Sequence, residues 1–100
     1  MDKKRDRTYM DELLKDKKFR IRFESEYQQL LISEKISKLR KTAHLSQAAL
    51  AKKIHTTKSA ISRYESGNYS GYTVSLLNKI ATACNARLKI KFEITKNISS

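Results

Sequence analysis

Apolar side chains recur three or four residues apart through the first part of the chain, which is the spacing of one face of a helix. The series runs through Phe19, Phe23, Tyr27, Leu30, Leu31, Ile36 and Leu39. Asp16 precedes it and suits a helix N-cap. Because the series is long for one helix of a globular protein, we predict a break near residues 24–28 and a separate short helical turn over residues 9–14.

Three shorter helical patterns follow, and each is preceded by a hydroxyl residue that suits an N-cap. These N-cap candidates are Ser46, either Thr56 or Thr57, and Thr73. Gly67 follows the second of these patterns, where a helix end favours a residue in the left-handed conformation. With the short first turn, the patterns predict a mainly α fold of five helices.

The pattern changes to strict alternation near the end of the chain. There Leu88, Ile90, Phe92 and Ile94 alternate with Arg87, Lys89, Lys91 and Glu93. This two-residue repeat predicts a half-buried β-strand. Since a lone strand leaves its backbone N–H and C=O groups unpaired, we expect Leu88, Ile90 and Phe92 to pair with the same strand of a second copy. The alternative is a strand that lies alone against the helices.

The net charge of the chain indicates the class of molecule that it binds. The 100 residues include 22 Lys and Arg against 10 Asp and Glu, which gives a net charge of +12. Such an excess favours a polyanionic partner, either a nucleic acid or an anionic membrane surface. The basic residues do not form one amphipathic face, and no aromatic motif for stacking RNA bases occurs, so DNA is favoured over a membrane or RNA.

Catalysis finds no support in the sequence. Cys84 is the only cysteine, which excludes an internal disulfide, and it lies in an apolar pattern where a small buried side chain is expected. His44 and His55 do not share a helical face, and neither a glycine-rich phosphate loop nor metal-ligand spacing occurs. The charged N-terminus lacks the apolar core of a signal peptide. We therefore expect a cytoplasmic protein with no enzymatic activity, cofactor or metal.

Three segments in the middle of the chain occur together at a family-like spacing: LRK at 39–41, LSQAALA at 45–51 and SAISRYESG at 59–67. Together they resemble the helix-turn-helix domain of the phage-repressor (XRE) family, and the resemblance extends over residues 36–86. It implies a repressor-like domain whose second hairpin helix enters the major groove of DNA.

The resemblance also implies which residues contact DNA. Lys58, Ser59 and Arg63 fall on positions that read base edges. The wider set, which includes phosphate contacts, is Ser46, Gln47, Thr57, Lys58, Ser59, Ser62, Arg63, Ser66 and Asn68. Ser46 and Thr57 also suit a purely structural role as helix caps.

Two further positions concern the structure of the hairpin. Arg40 and Glu65 match positions that form a charge pair in similar repressors; the alternative is two solvated surface charges. His55 departs from the family, which often has glycine at this turn because a positive φ costs glycine little. Histidine adopts that conformation at a penalty, so the sequence leaves the geometry of the turn open.

The flanks of the motif extend the resemblance to HigA-type antitoxins. That likeness implies an N-terminal helical extension for partner binding at residues 1–24, a DNA-binding domain at 25–86 and a dimerisation strand at 87–95. It implies a homodimer that binds a palindromic operator, represses its own operon and neutralises a HigB/RelE-like mRNA-cleaving toxin, extending to a heterotetramer with it. The alternative is a phage- or plasmid-type XRE regulator without a toxin partner.

The extension offers apolar candidates for that partner interface. Leu13, Leu14, Phe19 and Phe23 are the expected anchors in a partner's groove; the alternative is that they pack onto the domain's own core. Tyr27 and Leu30, further along, are expected to complete the core of the domain. Residues 1–24 contain nine Lys and Arg and six Asp and Glu, a net charge of +3. Since a toxin that cuts RNA is expected to be basic, apolar contacts would have to dominate this interface.

Overall fold

The computed structural model describes Tyr9, Asp11, Glu12 and residues 15–95. Within these residues it contains four α-helices and no β-strand. The helices are α1 (Lys17–Thr42), α2 (Gln47–Lys53), α3 (Lys58–Tyr64) and α4 (Val74–Ala83). The mainly helical class predicted from the sequence is therefore confirmed. None of the described helices has the length and apolar character needed to cross a bilayer.

The first helix, α1, is continuous over 26 residues, so the predicted break near residues 24–28 is wrong. Asp16 is its N-cap, as predicted: the carboxylate accepts hydrogen bonds from the backbone N–H groups of Lys18 (2.9 Å) and Phe19 (3.2 Å). The helix contains neither glycine nor proline. In residues 17–29, which do not contact the core, long polar side chains with good helix propensity stabilise the helix.

Two predicted elements at the ends of the chain are not confirmed. In the short turn expected over residues 9–14, Tyr9, Asp11 and Glu12 are helical, but Leu13 and Leu14 lie outside the described residues. The expected strand at 87–95 has no regular secondary structure in this single chain. A strand is defined by hydrogen bonds to a neighbouring strand, and none of the described segments provides one.

The core is formed by the second half of α1 (residues 30–42) and the three shorter helices. Its buried members are Ile36, Leu50, Ala51, Ile54, Ile61, Ile80 and Cys84. Ala51 is small enough to let α2 approach its neighbours closely. Burial raises the pKa of the Cys84 thiol, which keeps it protonated, and Cys84 acts here as a small apolar side chain.

The first half of α1 (residues 17–29) remains outside this core. Tyr27 and Leu30 were expected to complete the core, but they are 47% and 43% exposed, so that expectation is wrong. The helix becomes buried only from Ser33 onward, through Ile36 and Arg40. Leu30 approaches the domain at Gly67, where its Cδ1 lies 3.2 Å from the position that a Cβ on Gly67 would take.

Three of the four helices end on a left-handed residue that is not glycine. These residues are His44 (φ 59°), His55 (φ 61°) and Asn85 (φ 58°). After α2, the N–H of His55 donates to the carbonyl of Lys52 (3.3 Å) and the N–H of Thr56 to that of Ala51 (2.8 Å), which is the Schellman pattern. His55 therefore takes the conformation that glycine takes more easily, and the turn of the hairpin is preserved.

Candidate nucleic-acid interface

The candidate reading helix, α3, has one buried side and one open side. Thr57 caps it by accepting a hydrogen bond from the backbone N–H of Ala60 (3.0 Å). Ala60 and Ile61 are buried against the core. The exposed side chains are those of Lys58, Ser59, Ser62 and Arg63. Because Ala60 and Ile61 hold α3 on the core, the opposite side of the helix presents a row of polar side chains, with hydrogen-bond donors and acceptors, to solvent.

The preceding helix, α2, presents its first turn beside that row. Ser46 caps α2, and its Oγ accepts from the backbone N–H of Ala49 (3.0 Å). The caps predicted at Ser46 and Thr57 are thus confirmed. Because each cap oxygen accepts, each hydroxyl keeps its proton for an external acceptor such as a phosphate oxygen.

Arg40 and Glu65 make a two-pronged ion pair inside the domain. Nε of Arg40 donates to Oε2 of Glu65 at 2.6 Å and Nη2 donates to Oε1 at 3.0 Å, and the side chains are 10% and 7% exposed. Nη1 of Arg40 also donates to the carbonyl of Leu45 (2.8 Å). The guanidinium thus joins the end of α1, the α1–α2 turn and the residue that follows α3.

The pair is held in its charged form. The hydrogen bond to Glu65 raises the pKa of Arg40 despite the opposing effect of burial. Burial raises the pKa of Glu65, but hydrogen bonds from Arg40 and Gln47 outweigh it, so its net pKa lies below the usual range. At neutral pH the two charges cancel within the domain.

Gln47, the first residue of α2, belongs to the same network. Its Nε2 donates to Oε1 of Glu65 at 3.2 Å. The amide nitrogen carries two hydrogens, and this contact uses only one of them. Gln47 can therefore be oriented by Glu65 and still donate to a phosphate.

The turn after α3 is closed by Ser66. Its Oγ donates to the carbonyl of Arg63 (2.8 Å) and accepts from the backbone N–H of Asn68 (3.2 Å). Gly67 adopts the left-handed conformation predicted for it, with φ 87°. The hydroxyl proton of Ser66 is thus used within the turn, whereas the side chain of Asn68 is exposed.

Three tyrosines fix the loop that follows, a role that the sequence analysis missed. The ring of Tyr69 meets those of Tyr64 and Tyr72 edge to face, with centroids 5.0 Å and 4.9 Å apart. The hydroxyl of Tyr72 donates to the carbonyl of Tyr64. The signal is the aromatic content of NYSGY at 68–72, a segment whose polarity alone predicts an ordinary loop.

An open cleft separates this loop from the first half of α1. It is lined by Lys18, Ile21, Arg22, Ser25, Glu26 and Gln29 of the helix and by Asn68 and Ser70 of the loop. The two walls are distant in sequence, so no local pattern pointed to their meeting.

The candidate partner-binding residues lie on a different face of α1. Phe19, Phe23 and Tyr27 form a ladder with ring centroids 6.2 Å and 6.3 Å apart. Phe19 is half-buried and Phe23 is 44% exposed. Leu13 and Leu14, the other two candidates, lie outside the described residues.

The candidate dimerisation residues are increasingly open along the C-terminal segment. Leu88 is half-buried, whereas Ile90 and Phe92 are 61% and 94% exposed. No part of the chain that the structure describes covers these apolar side chains.

Comparison with known proteins agrees with this architecture. A family model described as helix-turn-helix matches residues 36–90, which is more than half of the chain. No curated protein and no solved structure matches the chain. The matched span contains the end of α1 from Ile36 onward, the α2–α3 hairpin and α4. The chain belongs to the XRE-type helix-turn-helix family of DNA-binding transcription regulators.

Proposed function

We propose that this protein is a sequence-specific repressor that places α3 in the major groove of operator DNA and binds it as a homodimer. One observation carries the proposal: Lys58, Ser59, Ser62 and Arg63 form an exposed polar row on a helix whose other side is fixed by Ala60 and Ile61. A helix held in this way projects side chains into the groove without losing its position on the core.

The roles within the row follow from its chemistry. Lys58 and Arg63 carry donors that suit O6 and N7 of guanine, whereas Ser59 and Ser62 are less selective. Gln47 and the two cap residues, Ser46 and Thr57, would donate to phosphates and set the register. Asn68 extends this phosphate-facing set beyond the end of α3, whereas Ser66, whose hydroxyl donates to the carbonyl of Arg63, keeps a structural role in the turn.

The dimer would be formed by the C-terminal segment. Its exposed apolar side chains and unpaired backbone are the surface that a second copy would cover as an antiparallel strand. A two-fold axis places the two α3 helices on half-sites roughly 34 Å apart, so the operator should be palindromic.

The reading assignment is tested with DNA enriched from a random duplex library by the full-length protein. Arg63→Ala and Lys58→Ala should each weaken binding to the enriched duplex by about tenfold or more and relax specificity at one base position. Lys79→Ala, which removes the same charge from α4, is the matched control and should leave base preference unchanged. Retention of wild-type affinity by both α3 variants would overturn the assignment.

The dimer is tested by analytical ultracentrifugation. Ile90→Ser/Phe92→Ser should yield a monomer, because it removes the apolar side of the segment. Lys89→Ser/Lys91→Ser changes the alternate positions and should remain dimeric. A wild-type protein that sediments as a monomer at high concentration would contradict this part of the proposal.

A second function is favoured by the aromatic ladder on α1: neutralisation of a HigB/RelE-like toxin. Phe23 and Tyr27 expose large apolar surfaces that no described part of the chain covers. Aromatic side chains are frequent energetic anchors in protein interfaces. Phe23 lies within residues 1–24, the proposed partner-binding extension, and Tyr27 stacks on it from the next turn, so the ladder favours the antitoxin role over that of a regulator without a toxin.

Co-expression with the product of the neighbouring gene tests this second function. The protein should co-purify with it and restore growth to cells that express it. Phe19→Ser/Phe23→Ser should abolish both effects while DNA binding persists, and Lys17→Ser/Lys35→Ser is the matched control on the same helix. Growth that the wild-type protein does not restore would leave the plain regulator as the function.

A further inference from the structure

The loop that follows α3 has no positive charge of its own. No Lys or Arg occurs between Arg63 and Lys79, and Glu65, the one charged residue in that interval, is neutralised by Arg40. The loop is nevertheless held rigidly beside α3 by Ser66 and the three tyrosines. A loop with a fixed conformation can contact a partner molecule without first losing conformational freedom.

Geometry places that loop near a DNA strand if α3 reads the groove. A helix of seven residues is about 10 Å long, and the major groove is about 12 Å wide. A chain that leaves the end of such a helix therefore meets the phosphate wall of the groove. Asn68, four residues beyond Tyr64, lies at this exit and is exposed.

Two positively charged side chains lie on the opposite wall of the cleft from this loop. Lys18 and Arg22 of α1 line it opposite Asn68 and Ser70, and both are exposed. The ion pairs of the described residues involve neither of them. Glu26 is the only acidic lining residue. The charges of Lys18 and Arg22, with the donors of Asn68 and Ser70, therefore attract an anion more strongly than the single carboxylate of Glu26 repels it.

The cleft side of α1 is distinct from its aromatic side. With about 100° per residue, Lys18 and Arg22 lie roughly 40° apart around the helix, whereas Phe23 lies about 140° from Lys18. A DNA backbone on one side would leave the ladder open on the other.

We propose that the first half of α1 is a second DNA-binding element, in which Lys18 and Arg22, together with Asn68 and Ser70, hold the phosphate backbone that flanks the base-reading site. This inference rests on the proposed function, since it requires α3 to lie in the groove. It gives the helical extension a role in operator affinity that is independent of any protein partner.

Salt dependence of DNA binding tests the proposal. Each phosphate contact contributes a slope of about 0.9 to log K against log salt concentration. Lys18→Gln/Arg22→Gln should lower the slope by about 1.8 per protomer, or about 3.6 for a dimer on two half-sites, so that a fourfold rise in salt weakens wild-type binding about 150-fold more than variant binding. The probe is an enriched duplex of about 30 base pairs, which covers two half-sites and their flanks.

A matched variant separates this contact from the general effect of charge. Lys17→Gln/Lys35→Gln removes two exposed cations from the same helix, on one row that lies about 100° around the helix from Lys18 and about 140° from Arg22. It should keep nearly the wild-type slope. A duplex shortened at its flanks should reduce wild-type affinity to that of Lys18→Gln/Arg22→Gln, and should have little effect on that variant.

Two results would overturn the inference. Equal slopes for the cleft variant and the wild-type protein would show that Lys18 and Arg22 do not contact phosphate, while the proposed function would stand. Wild-type protein that enriches no duplex would remove the proposed function and this inference together. Circular dichroism of each variant checks that the helix is retained.

Discussion

The two halves of α1 are one continuous helix in two different environments. Residues 30–42 bury Ser33, Ile36 and Arg40 against the helix-turn-helix domain, whereas residues 17–29 are almost entirely exposed or half-buried. Apolar side chains recur along both halves. The difference teaches that periodicity specifies a helix with an apolar face, while burial requires a surface for that face to meet.

The division also separates roles. The second half of α1 carries Arg40, which fixes the angle between α1 and the reading hairpin. The first half carries an aromatic side and a basic side, and neither is used to stabilise the domain. Substitutions of the same residue type in the two halves should therefore have very different effects on stability.

The largest difference is expected for arginine. Arg40→Ala leaves the buried carboxylate of Glu65 without its cation, which should lower the free energy of unfolding by about 3–5 kcal/mol. Arg22→Ala removes an exposed side chain and should change it by less than about 0.5 kcal/mol. Urea denaturation followed by circular dichroism measures both. Equal losses would mean that the first half is packed onto the domain.

Isoleucine should show the same contrast at a somewhat smaller scale. Ile36 is 4% exposed and Ile21 is 60% exposed. Ile36→Ala leaves a cavity in the core and should cost about 2–5 kcal/mol. Ile21→Ala should be nearly neutral. The comparison would fail if the free energy of unfolding fell in the Ile21 variant by more than half of the decrease measured for the Ile36 variant.

A smaller effect is expected from acid. The pKa of Glu65 in the folded protein lies below its ordinary value of 4.5. Its stabilising contribution is therefore complete above pH 4.5 and is lost as the pH falls through the folded-state pKa. Glu65→Gln should be less stable at neutral pH but lose less further stability on acidification. Glu26→Gln, in the first half of α1, should follow the wild-type curve; a Glu65 variant with that same curve would contradict the assignment.

The smallest effect distinguishes two helix caps. Thr57→Ala removes the cap of α3, which unfolds with the core, and should lower the unfolding free energy by about 1 kcal/mol. Asp16→Ala removes the cap of the exposed half of α1. It should reduce helical circular dichroism by local fraying, with less than about 0.5 kcal/mol lost in global unfolding. A shared loss near 1 kcal/mol would show that both helix ends belong to one cooperative unit.

Helix starts were predictable because capping is local. Asp16, Ser46, Thr57 and Thr73 each accept hydrogen bonds from backbone N–H groups two or three residues ahead. A side chain of the right type at the right distance is sufficient for this contact. The helix ends were less predictable, because the left-handed positions after two of the helices are occupied by His44 and Asn85, and not by the glycine that usually indicates such a turn.

The candidate site divides in the same way. The row on α3 followed from a motif of nine residues, SAISRYESG, whose spacing places Ser59, Ser62 and Arg63 opposite Ala60 and Ile61. The contact of Gln47 with Glu65 joins residues that are distant in sequence, so only the packing of α2 against the end of α3 could show it. The cleft between Lys18 and Asn68 has the same origin.

The sequence by itself determined where the helices begin, which side of the reading hairpin is buried and that the chain carries a large positive charge. These properties depend on neighbours within about four residues or on composition alone. The tertiary structure decided which half of α1 meets the core, because a helix face is buried only where another surface is present to cover it. It also decided which of the many lysines and arginines, namely Lys18 and Arg22, lie across the cleft from the loop that follows α3.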